Sequence, residues 1–287
     1  MTAPDELPPR PPFSPRLWPA WTGLSLALLA ARLPWLWQRA IGRGVGWLAL
    51  HLAGTRRRAA QANIELCFPE QSPQWRARLL RDSFDALGVG LFEFARAWWG
   101  GLGPIRRGAS IEGLEHLRAL QEQGRGVLLV SGHFMTLEMC GRLLCDHVPV
   151  SGMYRVHRNP VMEWAVKRGG FLWYAPDQDM RGKDTVFAPF FGVPASTITA
   201  THQLARLTGC AVVPFFHRRE GARYVLRVAP PLADFPSQDV VADTTRVNAA
   251  IEAMVREAPA QYLWIHRRFK RQPEGAPVRY PRRARRP

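Results

Sequence analysis

The 287-residue sequence contains few cysteines and no closely spaced cysteine pair. Its four cysteines form no CxxC motif and stand in apolar or helical-looking stretches: Cys67, Cys140, Cys145 and Cys210. Disulfide frameworks and zinc sites show characteristic cysteine spacings that are missing from this chain. The sequence therefore favours reduced, buried thiols in a cytosolic domain over a disulfide framework or a metal site.

Acidic residues are also scarce. The chain has 23 Asp and Glu residues against 39 Lys and Arg residues, a formal net charge of +16. Such an excess predicts an anionic partner, either nucleic acid or an anionic membrane surface. No zinc-finger, RRM or helix-turn-helix signature supports nucleic acid. Five of the 11 tryptophans fall within the first fifty residues, a composition typical of a membrane interface, so we expect a membrane surface and no nucleic acid.

The N-terminal region has one long apolar stretch, and a single arginine interrupts it. Residues 17–31 and 33–38 carry no charge, and Arg32 lies between them. Together, residues 17–38 have about the 20-residue length that crosses a bilayer. We expect an N-terminal membrane-anchoring helix, with a helix lying in the interface as the alternative. More arginines follow the stretch than precede it, which predicts that the rest of the chain is cytoplasmic.

The remainder of the chain predicts an α/β fold with a mixed or largely parallel sheet flanked by helices. Residues 48–100 read as mostly helical around a turn at 68–73, where Ser72 can cap a helix that begins at Pro73. Beyond residue 100, strand-like and helix-like patterns alternate. The expected strands are 126–130, 148–154, 171–175, 211–217, 224–228 and 262–266. The expected helices are 136–146, 161–168, 197–208 and 244–257. The Arg- and Pro-rich residues 279–287 predict a disordered tail.

One candidate catalytic pair stands at the end of the first expected strand. The run stops at Ser131-Gly132, His133 follows, and Glu138 comes five residues later. A general base that acts on a hydroxyl needs an accessible imidazole and a carboxylate to orient it. Residues five apart on a helix do not meet, so the pair requires His133 to precede the helix. Taken alone, the two residues favour a structural interpretation, in which His133 is a polar residue after a core strand and Glu138 an exposed carboxylate on a helix.

Two further groups carry candidate binding residues. Asp177 and Asp179 follow the expected strand 171–175, where ligands bind in α/β sheets; the alternative is a turn, since Pro-Asp favours one. Arg218, Arg267 and Arg268 follow other expected strands and offer cations to phosphate or carboxylate groups. The alternative for this basic group is a solvated surface.

Several segments in this order resemble a known family. Residues 131–138 resemble the His-x4-Asp/Glu block of the late lipid A acyltransferases of Gram-negative inner membranes. Further segments match the family in order: 63–69, 153–155 with 159–160, 173–179, 186–192 and 262–270. The resemblance runs from the N-terminal stretch to about residue 273. The forms of 173–179 and 266–270 look more like the lauroyl branch than the myristoyl branch.

The resemblance implies a glycerol-phosphate acyltransferase-like fold and a specific reaction. The implied regions are an N-terminal membrane anchor (1–45), an α/β acyltransferase domain (46–273) and a basic tail (274–287). The implied reaction moves a fatty acyl chain from acyl-acyl carrier protein to the 3-hydroxyl of a primary acyl chain. The acceptor is a Kdo-bearing, phosphorylated lipid A precursor at the cytoplasmic face of the inner membrane. His133 acts as the base and Glu138 orients it, with no acyl-enzyme, cofactor or metal.

The resemblance also assigns substrate-binding residues and exposes one departure. The residues implied to bind the substrate are Arg155, Asp177, Asp179, Arg218, Arg267 and Arg268. Between Pro160 and Trp173 the chain is shorter than the family pattern and lacks a segment with an Arg-containing turn. Two other functions therefore stay open. One is a catalytically impaired member that binds lipid or carrier protein, and the other is an acyltransferase for another membrane lipid.

Overall fold

The computed structural model of the protein describes residues 14–152 and 166–280, and elements are numbered over these ranges. The helices are α1 (Trp18–Arg32), α2 (Trp35–Leu52), α3 (Gly54–Cys67), α4 (Pro73–Trp99), α5 (Gly103–Gly108), α6 (Leu114–Glu122), α7 (Leu137–Leu144), α8 (Ala200–Thr208) and α9 (Val240–Glu257). The strands are β1 (Ala109–Glu112), β2 (Val127–Val130), β3 (Val150–Gly152), β4 (Phe171–Tyr174), β5 (Thr185–Phe190), β6 (Val193–Ile198), β7 (Ala211–Glu220) and β8 (Arg223–Val228).

Six of these strands form one mixed sheet in the order β1-β8-β7-β2-β4-β3. The four strands β7, β2, β4 and β3 run parallel to one another. Strand β8 is antiparallel to β7 and parallel to β1. Strands β5 and β6 form a separate antiparallel hairpin. The expected α/β class with a mixed sheet and flanking helices is confirmed.

The central strands are buried on both faces, which is why they read as continuous apolar runs. Along β2, Leu128 and Val130 belong to one core cluster, and Val127 and Leu129 belong to the other. Successive side chains of a strand point to opposite faces, so the two clusters are the two sides of the sheet. Helices α3, α8 and α9 contribute to the first cluster, and α6 and α7 contribute to the second.

The N-terminal apolar stretch is two helices and not one. Helix α1 ends at Arg32, and Pro34 stands in an extended conformation before α2. The side-chain amide of the buried Gln38 donates to the carbonyls of Ala30 (2.7 Å) and Leu33 (3.0 Å), so it satisfies groups that the end of α1 leaves open. In the described part of the chain, no helix has the length and apolarity needed to cross a membrane. The single membrane-crossing helix expected over residues 17–38 is therefore wrong, and the alternative of helices that lie in the interface stays a prediction.

Glycines bring α2 and α4 into close contact. A Cβ on Gly88 of α4 would lie 1.9 Å from the carbonyl oxygen of Gly42, and one on Gly46 would lie 2.1 Å from the carbonyl oxygen of Phe84. Only glycine fits at such backbone approaches, because any side chain would overlap the facing helix. The two helices thus pack backbone against backbone, and their larger side chains are displaced to other faces.

Most expected elements beyond residue 68 are confirmed. Ser72 accepts a hydrogen bond from the Trp75 amide (3.2 Å), and α4 begins at Pro73. Strand 262–266 is wrong: this segment forms a single bridge from Tyr262 to Phe134 and then turns. Most of the expected helix 161–168 and the tail residues 281–287 lie outside the described residues. Three cysteines are buried as expected, but Cys145 is exposed.

Candidate active site

The register of the sheet brings His133 and Asp177 to one edge. Strands β2 and β4 are parallel neighbours in which Val130 pairs with Tyr174, the last residue of each strand. His133 is the third residue after Val130, and Asp177 is the third residue after Tyr174. Two loops that leave adjacent parallel strands at the same level hold their third residues side by side. This edge is where α/β sheets bind ligands.

The carboxylate of Asp177 holds both the ring and the backbone of His133. Nδ1 of His133 lies 2.5 Å from Oδ1 of Asp177, and the backbone amide of His133 donates to Oδ2 at 2.8 Å. The carbonyl of His133 accepts from the amide of Leu263 at 2.9 Å. The imidazole is thus fixed in orientation, and a ring that donates Nδ1–H to a carboxylate has Nε2 as its basic nitrogen.

The carboxylate of Asp177 is buried and ionised. It is 2% exposed, and burial together with the charge of this carboxylate raises the pKa of the neighbouring Tyr262 hydroxyl. Burial by itself favours the neutral acid, but the charge and hydrogen bonds of His133 outweigh burial and hold the pKa of Asp177 at about 2. Burial likewise lowers the pKa of His133, but Asp177 outweighs it and raises that pKa above its ordinary value. The pair therefore has the electrostatics of a carboxylate-supported base.

A cavity of about 590 Å³ opens beside the imidazole. The polar side chains in its wall include His133, Glu138, Arg142 and Tyr174. The remainder is largely apolar, and includes Ala97, Trp98, Leu137, Gly141, Cys145, Val150 and Trp173. A wall with many apolar side chains and few polar groups suits an apolar ligand whose reacting end meets the polar groups.

Glu138 lies in the wall of the cavity, and its carboxylate contacts a helix from the N-terminal half. Trp98 of α4 donates from Nε1 to Oε2 of Glu138 at 3.0 Å. The carboxylate at Nδ1 of His133 is Asp177 and not Glu138, so the expected orienting role belongs to Asp177. The physical reason is that Glu138 lies within the first turn of α7, whereas Asp177 comes from the neighbouring strand at the level of His133.

Asp179 and Arg268 support the site from inside the fold. The amide of Asp179 donates to Nε2 of His266 (3.1 Å), and its carboxylate accepts from the amide of Arg271 (3.0 Å) and from the Arg271 guanidinium. Arg268 is 2% exposed and donates to the carbonyl of Ser196 (2.7 Å). Arg268 also lines a small cavity with His133 and Asp177, and its expected role in substrate binding stays a prediction.

The other expected binding arginines lie apart from this cluster. Arg218 pairs with Glu220 at 2.6 Å and with Glu257 at 3.6 Å. Arg267 is exposed, and its guanidinium lies over the ring of Tyr280. Neither residue is among the described residues that line the cavity. Arg155 lies outside the described residues, so its expected role stays a prediction.

Sequence reasoning missed two residues that the structure brings to the site. Tyr262 was part of an expected strand, but it lines a small cavity together with His133 and Asp177. Trp98 lies in the region expected to be helical and was not a candidate site residue, yet 55% of it is exposed and its indole reaches Glu138. The aromatic residues at 262 and 264 were a visible signal for Tyr262. No spacing in the sequence connects residue 98 to residue 138.

Comparison with known proteins finds relatives over most of the chain. The sequence model of the bacterial lipid A biosynthesis acyltransferase family matches residues 13–169 and 165–271. The lipid A biosynthesis lauroyltransferase of Escherichia coli is 38% identical, over 93% of this chain and 96% of that protein. The palmitoleoyltransferase of the same organism is 35% identical over 91% and 94%, and its myristoyltransferase is 25% identical over 94% and 92%. The chain therefore belongs to the bacterial lipid A biosynthesis acyltransferase family.

Proposed function

We propose that this protein transfers a fatty acyl chain from acyl-acyl carrier protein to the 3-hydroxyl of a primary acyl chain on a Kdo-bearing lipid A precursor. The observation that carries the proposal is the His133–Asp177 pair at the wall of a largely apolar cavity. Family membership supports acyl transfer in lipid A biosynthesis. The acyl carrier protein and the Kdo-bearing acceptor belong to the proposal, because the resemblance implies them.

The chemistry follows from the tautomer that Asp177 selects. Nε2 of His133 takes the proton of the acceptor hydroxyl as that oxygen attacks the thioester carbonyl carbon. A carbon–oxygen bond forms, the carbon–sulfur bond breaks, and the imidazolium returns the proton to the leaving thiolate. Asp177 stabilises the imidazolium throughout, in the manner of the carboxylate of a catalytic triad. Glu138 supplies a second negative charge in the same cavity wall and lowers the energy of the imidazolium further.

The cavity accommodates an acyl chain whose reacting end lies at His133. His133 and Glu138 lie near the start of α7, and Cys145 follows the end of that helix. The cavity therefore runs along α7 from the catalytic groups to the far wall at Cys145 and Val150. An apolar chain that enters this volume loses contact with water over most of its length, which favours binding by about 0.8 kcal/mol for each buried methylene.

Exposed apolar side chains support a membrane surface as the place of reaction. Each of three helices carries a stripe of them at helical spacing: Trp18, Leu26 and Leu29 on α1, Trp37, Ile41, Leu48 and Leu52 on α2, and Leu91, Phe94 and Trp98 on α4. We call these residues the apolar stripes. Such faces are typical of helices that lie in a membrane interface. Trp98 belongs to a stripe and also lines the cavity, so a lipid acceptor can pass from the bilayer to His133.

Location at the cytoplasmic face of the inner membrane follows from the proposed donor and acceptor. The acyl carrier protein is an acidic cytoplasmic protein, and the lipid A precursor is an anionic lipid. The net charge of +16 favours contact with both. Binding through the apolar stripes holds the cavity at the lipid surface.

The test is acyl transfer in vitro and in cells. Purified protein is incubated with acyl-acyl carrier protein and a Kdo-bearing lipid A precursor, and the lipid is analysed by mass spectrometry. We expect a mass increase of one acyl chain with the wild-type protein and none with His133→Ala. The same analysis is applied to lipids from a Gram-negative strain that lacks its own late acyltransferases and expresses this chain.

Three outcomes would contradict the proposed reaction or its mechanism. Binding of acyl carrier protein without any transfer would indicate a catalytically impaired family member. The sequence left this alternative open because the stretch between Pro160 and Trp173 is predicted to be short. An acyl chain added to a different membrane lipid, with the lipid A precursor unchanged, would select the other alternative. Full transfer by His133→Ala would remove the base from the mechanism.

A further inference from the structure

A third strand contributes a histidine at the level of His133. Strand β7 is the parallel neighbour of β2 on the side away from β4, and Val130 pairs with Pro214. His217 is the third residue after Pro214, as His133 is the third after Val130. The loop that carries His133 therefore lies between Asp177 from one neighbouring strand and His217 from the other.

Both ring nitrogens of His217 contact the loop that carries His133. Nε2 lies 3.2 Å from Oγ of Ser131, and Nδ1 lies 2.8 Å from Oγ1 of Thr136. Ser131 and Thr136 bracket the four residues 132–135, so one imidazole is bonded to both ends of the segment. Thr136 precedes α7, yet its hydroxyl makes no cap bond to that helix.

The His217 ring is held in one position by its packing. The side chain is 0% exposed, and three aromatic rings surround it at centroid distances of 5.3 to 5.5 Å: Phe134, Trp173 and Phe215. A ring packed in this way cannot follow a moving loop. The hydrogen bonds therefore transmit the rigidity of the sheet to the segment 131–136.

We infer that His217 is a positioning residue for acyl transfer, which acts by fixing Ser131 and Thr136 so that His133 meets Asp177 and the cavity. This inference rests on the proposed function. His217 is absent from the cavity wall described above, so it acts through the loop and not on substrate. Misplacement of a reacting group by about 1 Å can cost about 100-fold in rate, which gives a bonded loop a large effect on turnover.

The charge state of His217 agrees with a purely positioning role. Burial lowers its pKa to about 3, so the ring is neutral throughout the range in which His133 titrates. A neutral imidazole donates through one nitrogen and accepts through the other, and these are the two bonds that Ser131 and Thr136 require. Phenylalanine keeps the ring shape and removes both bonds.

The first experiment measures turnover and the state of His133 in His217→Phe. We expect kcat to fall about 10- to 100-fold and the KM of each substrate to change less than twofold. A histidine Nδ1–H whose nitrogen lies 2.5 Å from a carboxylate oxygen gives a far-downfield proton NMR signal, which His133→Ala assigns by its loss. We expect this signal in the wild-type protein and its loss or upfield movement in His217→Phe.

The second experiment removes the Thr136 bond by itself, and this single variant is informative whether or not His217→Phe folds. Thr136→Val deletes the bond to Nδ1 in a buried side chain, and Thr201→Val is its matched control. Thr201 is also buried, in α8, and its hydroxyl has no hydrogen-bond partner within the described ranges. We expect Thr136→Val to lower kcat several-fold, Thr201→Val to leave it unchanged, and Thr136→Val to add little in the His217→Phe background.

Three results would overturn the inference. They are an unchanged kcat in both His217→Phe and Thr136→Val, fully additive effects of the two substitutions, and an unchanged downfield signal in a folded His217→Phe protein. Failure of the proposed function is distinguishable, because then the wild-type protein itself transfers no acyl chain. The NMR signal still reports whether His217 holds His133 against Asp177 in that case.

Discussion

Asp177 accepts two hydrogen bonds from His133, one from Nδ1 of the ring and one from the backbone amide. Its two oxygens thereby fix both the ring and the chain that carries it. A carboxylate bound in this way sets the tautomer, the orientation and the pKa of the base together. The functional unit of this site is therefore a pair drawn from two adjacent strands, and it is not confined to one sequence motif.

Asp177→Asn tests that unit through the rate and its pH dependence. The amide keeps the shape but loses the charge, so we expect kcat to fall about 10²- to 10⁴-fold. In the wild-type protein the pKa of His133 is raised above its ordinary 6.5, and activity increases with pH as the base becomes neutral. Without the carboxylate, burial alone acts and lowers that pKa, so the acid limb of the pH–rate profile moves to lower pH.

The matched control is Asp239→Asn, the same change at an exposed residue that caps α9. Asparagine caps a helix about as well as aspartate does, so rate and pH profile should match those of the wild-type protein. An acid limb at the same pH in Asp177→Asn and the wild-type protein would show that Asp177 does not support the base.

Variants at the two ends of the Trp98–Glu138 hydrogen bond distinguish two roles for Glu138, one as a charge that acts on the imidazolium and one as a structural acceptor. Glu138→Gln removes the negative charge but keeps an oxygen that accepts from the indole. Trp98→Phe removes the donor at 3.0 Å and keeps the charge. If Glu138 acts by its charge on the imidazolium, we expect Glu138→Gln to lower kcat at least tenfold and Trp98→Phe to lower it less than threefold, because one charge contact is worth more than one exposed hydrogen bond.

Initial-rate kinetics of the two variants at one pH suffice for this comparison, with Glu138→Ala expected to abolish transfer. Glu65→Gln is the control, since Glu65 is exposed on α3 and accepts an exposed hydrogen bond from Gln61. The reverse order, with Trp98→Phe the more damaging change, would assign Glu138 to holding α4 against α7 instead.

Part of the site could be predicted from the sequence, because the patterns that place its residues are local in the chain. The strands before His133 and Asp177 are apolar runs, and each ends at a visible break, so both residues could be placed at the carboxyl edge of a sheet. Their contact could not be predicted, because it depends on the register of β2 against β4. Glu138 was the nearest carboxylate along the chain, whereas Asp177 is 44 residues away in sequence.

Other errors have the same origin in long-range packing. Residues 262–266 alternate and are aromatic, as a strand is, but after Tyr262 the chain turns so that Asn63 donates to the carbonyls of Trp264 and His266, both at 2.6 Å. The β5–β6 hairpin was missed because Pro189 and Pro194 stand in its strands, and proline argues against strands. Its two-residue turn at Phe191 and Gly192 has positive φ at both positions, the geometry of a tight hairpin.

Gly88→Ala tests the close contact of α2 and α4. The added Cβ would lie 1.9 Å from the carbonyl oxygen of Gly42, so the helices must separate. Overpacking of this kind costs about 1 to 3 kcal/mol, which we expect as a lower free energy of unfolding in denaturant titration. Gly44→Ala is the matched control, because a Cβ at Gly44 meets nothing within 4 Å and alanine favours a helix by about 1 kcal/mol. Equal stability of the two variants would contradict the contact.

Leu48→Glu tests the apolar stripes as the membrane-binding surface. Leu48 is 48% exposed on α2, and its burial in a membrane interface would contribute up to about 1.5 to 3 kcal/mol. Replacing it by an anion also adds repulsion from anionic lipids, so we expect affinity for anionic phospholipid vesicles to fall at least tenfold in flotation assays. Raising the salt concentration should weaken binding of the wild-type protein, because its basic residues then lose part of their attraction for the headgroups.

Leu207→Glu makes the same change on a different surface, because Leu207 is 60% exposed on α8, outside the three helices that carry the stripes. Its vesicle affinity should stay within about twofold of the wild-type value, since a single exposed leucine away from the interface needs no lipid contact. The unfolding free energies of both variants should match that of the wild-type protein, because neither side chain is buried. Equal losses of vesicle affinity in the two variants would mean that charge alone governs binding, and that the apolar stripes do not face the membrane.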